Sequence, residues 1–360
     1  MVFGGLYEEE GHPFTGRRLE KVKQFLEKEG LSYDASVEYT LLLTDEEGEI
    51  AACGSVAGSV LKCIAVSDEY QGEGLSATIV TGLSNYCMSK GRSHLFLFTK
   101  PKNRQMFTDL GFDAILSTDT VLFMENTRGG IKAYAEELKR SSAEAEAAFE
   151  ADHGRKPVEG AVVANCNPFT LGHRYLIETA LTKCDLLHLF ILSEDRSEFS
   201  AGQRFRMAQE GVADIKGVLL HPTSDYLISA ATFPTYFIKD QAKAADANCE
   251  LDVRIFAECI ASPLGITMRF AGTEPTDEVT NAYNQKMKEL LPGYGIEFVE
   301  IERKTAETGS GDGTVGAISA KTVRRLLAEG NTDGLKDLVP ETTRKYLMRE
   351  DGGICGSSLE

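Results

Sequence analysis

The chain has 360 residues, 42% of them hydrophobic, which is enough for two domains of ordinary size, each with its own core. Its formal net charge of −17 argues against general binding to nucleic acid or to anionic lipid, because both need clustered basic residues. No apolar run approaches the length that a membrane-spanning helix needs.

The first half of the chain contains short β-rich runs. In "EYTLLLTDEEGEIAACGSV" the stretch "TDEEGE" predicts a hairpin turn between two strands. Residues 131–156 are rich in Ala, Glu and Lys, with apolar residues at helical spacing, which predicts a connecting helix and linker. An ordinary domain helix is an equally good interpretation of this stretch.

The second half of the chain alternates between apolar strands and helices. Strands are predicted in "GAVVAN", "LLHLFILS", "GVLLH", "TMRFAG" and "IEFVEIE". Helices are predicted from Gly172, from about Gln203, at Tyr236–Ala247, at Asn281–Leu291 and from Ser319. Such alternation predicts a parallel sheet with helices on both faces, and ligands bind such sheets at the carboxyl ends of the strands.

A turn at Asn167–His173, "NPFTLGH", joins the first of these strands to its helix. A helix N-terminus presents unpaired N–H groups and a partial positive charge, so it attracts phosphate. Gly172 lets the backbone approach a ligand closely. Thr170 offers a hydroxyl and His173 an imidazole. For this stretch alone, a helix cap followed by a surface histidine is the alternative.

A second stretch, "GAISAKTVRRLLAEG", starts another helix with Ser319 near its N-terminus. Lys321, Arg324 and Arg325 lie in its first turns. Cations at a helix start oppose the helix dipole, so an anion bound between them would explain their position. An N-cap followed by a solvated basic face is the alternative.

Together the two stretches resemble the nucleotidyltransferase superfamily that carries an HxGH motif after its first strand and an ISxxxxR-like motif late in the chain. Thr170 replaces the first histidine of the motif, and its hydroxyl can still bond a phosphate oxygen. The resemblance implies that ATP or CTP, accompanied by Mg²⁺, is attacked at the α-phosphate and releases pyrophosphate. Positioning and charge stabilisation are then the protein's main contributions.

The same resemblance implies roles for individual residues. His173, Thr170 and Arg324 are the expected catalytic residues, with His173 at the α-phosphate. Ser319 and Arg324 are expected at the β- and γ-phosphates, with Lys321 or Arg325 as a helper. The full ATP-binding set comprises Asn167, Pro168, Phe169, Thr170, Gly172, His173, Gly272, Thr273, Glu274, Ile318, Ser319, Lys321 and Arg324.

Two further segments contribute candidates to this site. Gly272–Glu274 in "AGTEP" corresponds to the place where the superfamily contacts the base and ribose. In "SEDRSEFSAGQRFRM", Arg196, Arg204 and Arg206 are candidates to reach a phosphate or the attacking group. Surface ion pairs are the alternative for at least two of these arginines.

In the first half, the segment "QGEGLS" at 71–76 lies between a predicted strand and a predicted helix, and Asn103, Phe107 and "GF" at 111–112 follow it. This pattern resembles the GNAT acetyltransferase superfamily. In that fold, loop amides cradle the pyrophosphate of coenzyme A, and glycines before a helix form such an anion nest. The resemblance implies a CoA-like arm bound by Gln71, Gly72, Glu73, Gly74, Leu75, Ser76 and Asn103. Ser76 stands where the family has Gly or Ala.

Phe107 is a larger departure from the GNAT pattern. Many members have a tyrosine there, which acts as general acid to the departing thiolate, and phenylalanine cannot donate a proton. The domain is therefore expected to bind a CoA-like pantetheine arm and present its thiol, rather than to acetylate an amine.

The pairing of the two halves, together with "TEPTDEVTNAYN" at 273–284, "ISAKTVRRLLAEG" at 318–330 and "LVPETTRKYL" at 338–347, resembles the citrate (pro-3S)-lyase ligase family over nearly the whole chain. The implied partners are ATP, acetate and the acyl carrier subunit of citrate lyase, whose thiol prosthetic group is a modified dephospho-CoA. Acetyl-AMP would be the intermediate, AMP and pyrophosphate would be released, and no permanently bound cofactor is expected. The alternatives are a bifunctional N-acetyltransferase and nucleotidyltransferase that makes a nucleotide coenzyme or activated metabolite, or a non-enzymatic CoA- or nucleotide-sensing regulator.

The expected fold class is α/β. A GNAT-like α+β domain at 1–130 would be followed by a linker helix at 131–156, a Rossmann-like parallel-sheet nucleotidyltransferase domain at 157–350 and a tail at 351–360. The eight cysteines are scattered without a CxxC pair or a Cys/His cluster, which predicts reduced thiols, no metal site and a cytoplasmic protein. The opening "MVFGGLYEEEG" lacks the pattern of a signal peptide.

Overall fold

The computed structural model describes residues 2–3, 5–194, 197–227, 241–274, 277–307 and 315–348. By their contacts the residues form two compact units, Met1–Ala133 with Ala230–Ile255, and Tyr134–Ser229 with Phe256–Glu360. The predicted ranges 1–130 and 157–350 place the segment Ala230–Ile255 in the second domain, whereas its contacts group it with the first unit. The predicted tail 351–360, Arg196 and part of the predicted helix Tyr236–Ala247 lie outside the described residues.

The first 125 residues form mostly strands, with helices between them. In chain order the elements are β1 (Val2–Phe3), β2 (Leu6–Gly11), α1 (Gly16–Lys28), β3 (Tyr39–Thr44), β4 (Ile50–Ala57), β5 (Val60–Val66), α2 (Leu75–Ser89), β6 (Phe96–Thr99), α3 (Arg104–Asp109), β7 (Asp113–Ser117) and β8 (Leu122–Glu125).

These strands form a sheet in the order β1-β2-β3-β4-β5-β6-β8-β7. β3 and β4 pair antiparallel on either side of the "TDEEGE" turn, so the predicted hairpin is confirmed. β5 and β6 run parallel, and their pairing is limited to Val60 with Phe96 and Leu61 with Leu97. The two strands separate after these pairs and leave a gap in the sheet, beside which α2 begins.

The remaining elements follow in chain order. They are α4 (Gly130–His153), β9 (Glu159–Ala164), α5 (Leu171–Ala180), β10 (Leu186–Ile191), α6 (Ala201–Val212), β11 (Val218–Pro222), α7 (Gln241–Arg254), α8 (Ser262–Leu264), β12 (Ile266–Gly272), α9 (Glu278–Leu290), β13 (Glu297–Ile301), β14 (Thr305–Glu307), β15 (Val315–Ala317), α10 (Ala320–Ala328) and α11 (Glu341–Leu347).

The second unit is built on a five-stranded sheet in the order β11-β10-β9-β12-β13. All neighbouring strands run parallel. The five predicted strands and the predicted helices α5, α6, α9 and α10 are confirmed. The inner strands β9 and β10 read as apolar runs because both faces of such a sheet are covered, whereas the edge strand β13 is less buried and contains glutamates. The strand order reverses between β9 and β12, and this switch point creates a crevice at the carboxyl edge.

Within the range 131–156, where the sequence predicts a connecting helix and linker, the structure has the helix α4, Gly130–His153. Tyr134 stacks on Tyr226 with a centroid distance of 5.3 Å and donates a hydrogen bond to the carbonyl of Pro222 at 2.7 Å. These partners belong to the second unit. From Tyr134 onward, α4 is therefore an ordinary helix of that unit, in agreement with the second interpretation of the sequence.

A buried arginine on α6, Arg204, ties together the loops that follow β9 and β10. Its Nε donates to the Phe199 carbonyl at 3.0 Å, and its Nη1 to the Leu192 carbonyl at 2.7 Å. Nη1 also donates to the main chain and side chain of Asn165, and Nη2 donates to the Glu194 carbonyl. Acceptors in two loops thus share one guanidinium.

This arrangement corrects the expectation for the arginines of "SEDRSEFSAGQRFRM". Arg204 was a candidate for a phosphate contact or a surface ion pair, whereas its side chain is buried and bonded to protein oxygens. Most of those acceptors are backbone carbonyl oxygens, and a sequence pattern does not show where such oxygens lie in the fold. Arg206 is exposed on the same helix.

We expect Arg204→Met to destabilise the second unit by more than about 2 kcal/mol, because each carbonyl left without its donor loses roughly 1–3 kcal/mol. Arg206→Met on the same helix should change stability by only about 0.5 kcal/mol. Urea denaturation of both variants measures the difference. Equal effects at the two positions would contradict the role of Arg204.

A buried cluster of three polar side chains, Glu159, His188 and His221, connects β9, β10 and β11. Nδ1 of His188 lies 3.0 Å from Nε2 of His221, and Nε2 of His188 lies 3.1 Å from a carboxylate oxygen of Glu159. Burial lowers the pKa of His188 to about 4 and that of His221 to about 3. Burial also raises the pKa of Glu159 to about 7. Both histidines are therefore neutral at pH 7.

These pKa shifts predict how the stability of the second unit depends on pH. Below pH 6.5 the unfolded chain takes up protons that His188 and His221 do not accept in the folded protein, so their contribution is lost as the pH falls toward about 4. Glu159 acts in the opposite direction, because the folded protein retains its proton up to about pH 7. The two histidines outweigh one carboxyl, so we expect the free energy of unfolding to rise between about pH 5 and pH 6.5.

The double variant His188→Gln/His221→Gln tests this expectation by urea denaturation at several pH values. The free energy of unfolding of this variant should change little between about pH 5 and pH 6.5. The remaining buried histidine, His173, whose pKa is also lowered, and Glu159 then contribute slopes of opposite sign. His12→Gln replaces an exposed histidine of the first unit and serves as the control. A slope unchanged in the double variant would show that other groups set the pH dependence.

Candidate functional site

A cavity of about 400 Å³ lies at the carboxyl edge of the parallel sheet. Ala164 and Asn165 at the end of β9, and Ala271 and Gly272 at the end of β12, form part of its lining. The start of α5, one side of α9, the segment after β13 and the start of α10 also contribute to the lining. The cavity therefore occupies the switch point at which doubly wound sheets bind their ligands.

The start of α5 is held by a reciprocal cap between Thr170 and His173. The Thr170 hydroxyl accepts the His173 backbone N–H at 3.3 Å, and Nδ1 of His173 accepts the Thr170 backbone N–H at 3.0 Å. This is a capping box in which histidine takes the place of the usual Glu or Gln. Both residues line the cavity.

The cap also determines the protonation state of the His173 ring. Because Nδ1 accepts a backbone N–H, the neutral ring carries its proton on Nε2. Burial, and then the charge of Arg303, lower the pKa of His173 to about 4. At pH 7 the ring is therefore a neutral hydrogen-bond donor through Nε2, and the positive charge in this cavity comes from other residues.

The two sequence motifs meet at the cavity. A Cβ atom on Gly172 would lie 3.1 Å from the carbonyl oxygen of Ile318, so a residue without a side chain allows this close approach. Arg324 donates a hydrogen bond to the carbonyl of Asn167. Ser319 is the N-cap of α10, and its hydroxyl accepts the Thr322 N–H at 3.1 Å.

The predicted ATP-binding residues divide into two groups. Those that line the cavity are Thr170, Gly172, His173, Gly272, Glu274, Ile318 and Ser319. Among the described residues, those outside its lining are Asn167, Pro168, Phe169, Thr273, Lys321 and Arg324. Phe169 is fully buried, and its ring stacks on His173 with a centroid distance of 5.7 Å.

The cations of α10 do not converge on the cavity. Arg324 is half-buried, and its Nε lies 3.5 Å from a carboxylate oxygen of Glu198. Arg325 is exposed and pairs with Glu329 at 2.9 Å, and Lys321 is also exposed. The roles of Arg324 and Lys321 at the phosphates therefore stay predictions.

Three other cations line the cavity, and the sequence motifs do not include them: Arg269, Arg303 and Lys304. Arg303 and Lys304 directly follow the strand "IEFVEIE". Ligands bind at the carboxyl ends of parallel strands, so these two consecutive cations could have been predicted from the sequence as site residues. Arg269 lies inside the apolar run "TMRFAG", with its guanidinium 4.8 Å from the centre of the Phe256 ring.

The first unit has a cavity of about 410 Å³ where β5 and β6 separate. Its lining includes the predicted arm-binding residues Gln71, Gly72, Gly74, Leu75, Ser76 and Asn103, while Glu73 is not part of the described lining.

Local geometry is informative at two of these positions, Gly74 and Asn103, and at Phe107 beside them. Gly74 is the N-cap of α2 and has a left-handed φ of 80°. The Asn103 side chain donates to the Thr99 hydroxyl at 2.8 Å. Phe107 is buried against the cavity and offers no proton.

Neither a metal-binding cluster nor a membrane-spanning helix is found among the described residues. No group of three or more His, Cys, Asp or Glu side chains within the described ranges could hold a metal ion. No helix in the same part of the chain is long and apolar enough to cross a membrane.

Comparison with known families assigns both units. Residues 159–347 match the family model of the citrate lyase ligase C-terminal domain, and residues 7–122 match that of the acetyltransferase (GNAT) domain. The predicted fold class, a GNAT-like α+β domain followed by a Rossmann-like parallel-sheet domain, is confirmed.

Three curated proteins extend the similarity over both units. The chain is 42% identical over 337 residues to the citrate (pro-3S)-lyase ligase of Klebsiella pneumoniae, covering 92% of this chain and 93% of that protein. The ligase of Escherichia coli K12 is 39% identical over 338 residues, 92% and 91% of the two chains. The ligase of Haemophilus influenzae is 39% identical over 339 residues, 92% and 96% of the two chains. The chain therefore belongs to the citrate (pro-3S)-lyase ligase family and is an acid–thiol ligase.

Proposed function

We propose that the chain uses ATP to activate acetate as acetyl-AMP and passes the acetyl group to the thiol of the citrate lyase acyl carrier subunit. In the first step an acetate oxygen forms a bond to the α-phosphorus, and the bond to the pyrophosphate leaving group breaks. In the second step the thiolate attacks the acetyl carbon and AMP leaves. The observation that supports adenylation is the switch-point cavity walled by His173, Gly172 and Ser319.

His173 is the proposed donor to the α-phosphate. Nδ1 is held by the cap, and Nε2–H has no acceptor among the residues that the structure describes, so Nε2–H is the donor that can reach a ligand. The Gly172 N–H and the dipole of α5 add to the attraction for phosphate, since the N–H groups of Leu171 and His173 are bonded within the protein. The Thr170 hydroxyl lies 2.9 Å from Nδ1 of His173, which supports a positioning role for Thr170. Mg²⁺ would enter with the triphosphate as part of the substrate.

The first-unit cavity is the proposed site of the carrier's prosthetic arm. A gap between two strands and a glycine loop before a helix suit a narrow ligand that carries phosphate. Phe107 stands where an N-acetyltransferase would need a proton donor, and this residue disfavours the bifunctional alternative. Acetyl transfer to a thiol with AMP as leaving group needs no such acid.

Acetate-dependent ATP–pyrophosphate exchange tests the proposed function directly. The wild-type chain should catalyse exchange with acetate. Exchange with a phosphorylated acceptor instead of acetate would favour the alternative enzyme, and no exchange with either compound would favour the sensor.

Replacing His173 separates its chemical role from its role as a helix cap. His173→Ala should lower acetate-dependent exchange by about a hundredfold or more, as expected for loss of a donor to developing charge. His173→Glu restores the capping box without a donor, so thermal stability should recover while exchange stays low. Recovery of exchange together with stability would show that His173 acts only as a cap.

Gly74 tests the arm-binding role of the first unit. Asp and Asn share one shape and both tolerate a left-handed backbone better than most residues, so Gly74→Asn is the control for Gly74→Asp. The negative charge should lower acetylation of the carrier thiol by about tenfold or more relative to the Asn variant. Acetate-dependent exchange should be the same in both variants.

Melting curves of both Gly74 variants accompany these two activities. Equal carrier acetylation in the Asp and Asn variants would show that the loop does not bind a phosphate of the arm.

A further inference from the structure

Arg303 and Lys304 are the cations that follow β13, and both line the switch-point cavity. The cations that the sequence motif suggested, on α10, lie outside its lining in the described residues. His173 is neutral at pH 7, and Thr170 carries no charge. A triphosphate in this cavity therefore needs positive charge from residues outside the two motifs.

Arg303 is fixed along one edge of its guanidinium. Its Nε donates to the Thr273 carbonyl at 2.7 Å, and its Nη2 donates to the Glu274 carboxylate. Its stem packs on Gly272, where a Cβ atom would lie 3.8 Å from Cγ of Arg303. Glu274 is itself held, because it accepts the Asp277 N–H at 3.2 Å.

The other edge of the guanidinium is available to a ligand. Nη1 of Arg303 has no hydrogen-bond partner among the residues that the structure describes. An arginine with one edge fixed and one edge free can bind an oxyanion with little further ordering. Arg303 also lies close enough to His173 for its charge to contribute to the low pKa of that ring. Both residues also line the same cavity.

Lys304 and Arg269 are less suited to this position. The Lys304 ammonium lies 5.9 Å from the centre of the Tyr175 ring and has no ion pair in the described part of the chain. Lysine is a flexible point charge, suited to holding a phosphate in the ground state. Arg269 is buried in the middle of β12 against Phe256.

We propose that Arg303 is a catalytic residue that stabilises the charge on the α-phosphate beside His173, with Glu274 as its positioning residue. This proposal rests on the proposed adenylation. When acetate displaces pyrophosphate, no proton has to move, and negative charge concentrates on the oxygens of the phosphorus under attack. Arg303 and Nε2 of His173 donate to those oxygens, and Lys304 binds the leaving pyrophosphate.

Acetate-dependent ATP–pyrophosphate exchange by full-length variants tests the proposal, with kcat and the KM for ATP measured separately. Arg303→Gln should lower kcat by about a hundredfold or more, with less than a tenfold change in KM. Arg303→Lys should recover only part of the rate, because a point charge does not replace the fork. Lys304→Met should mainly raise KM.

Two further variants show whether these effects are specific. Arg155→Gln is the matched control, because Arg155 is a surface arginine that bonds Asp185 through both terminal nitrogens, at the amino edge of the same sheet. It should leave kcat and KM unchanged. Glu274→Ala should lower kcat less than Arg303→Gln does, with little change in KM, because it releases the guanidinium without removing it.

The outcomes separate this inference from the proposed function. A normal kcat in folded Arg303→Gln, or in Arg303→Lys if the Gln variant does not fold, overturns the inference alone. Exchange driven by a phosphorylated acceptor instead of acetate overturns the proposed function, and the same kcat comparison on that exchange then decides the role of Arg303. A large rise in KM at constant kcat would make Arg303 a ground-state binding residue and also overturns the inference.

Discussion

The hydrogen bond from the Thr170 backbone to Nδ1 of His173 is the constraint on which the candidate site depends. It closes the first turn of α5, orients the imidazole and leaves its proton on Nε2. It also opposes protonation of the ring, because a protonated Nδ1 would meet the N–H as donor against donor. One contact thus sets the geometry, the tautomer and the charge of the residue at the centre of the site.

Gly172 and Arg204 position the segments around that hydrogen bond. Gly172 permits the Ile318 carbonyl to approach the start of α5, so the segment that leads into α10 packs against the first motif. Arg204 bonds the loops after β9 and β10, and it holds Asn165, which lines the cavity, through both its main chain and its side chain. Neither residue needs to touch a ligand in order to shape the site.

The strands and helices of the second unit were predictable because their apolar pattern is strong. Four of the five predicted strands are mainly apolar, the fifth, "IEFVEIE", alternates apolar residues with glutamates, and the motif turn follows the first strand. The family resemblance was also visible in the sequence, because "TLGH" and "ISAKTVR" occur in the right order. The hairpin of the first unit could be predicted from a single charged turn.

Side-chain direction could not be predicted in the same way. Arg204 and Arg206 are two residues apart, yet one is buried among carbonyls and the other is exposed. Arg324 and Arg325 are adjacent, yet one bonds the motif turn and the other an acidic neighbour on its own helix. These outcomes depend on where backbone oxygens lie in the fold, and a linear pattern of charges does not contain that information.

The separation of β5 from β6 has a consequence for what the first unit can hold. Beyond Leu61 and Leu97 the facing edges no longer pair with each other, so peptide N–H and C=O groups are directed into the gap. A ligand that carries its own amides in a line can bond to those groups as an added strand would. Pantetheine has two such amides, so binding of that part of the proposed arm would depend on backbone complementarity, whereas charge would act at its phosphate end.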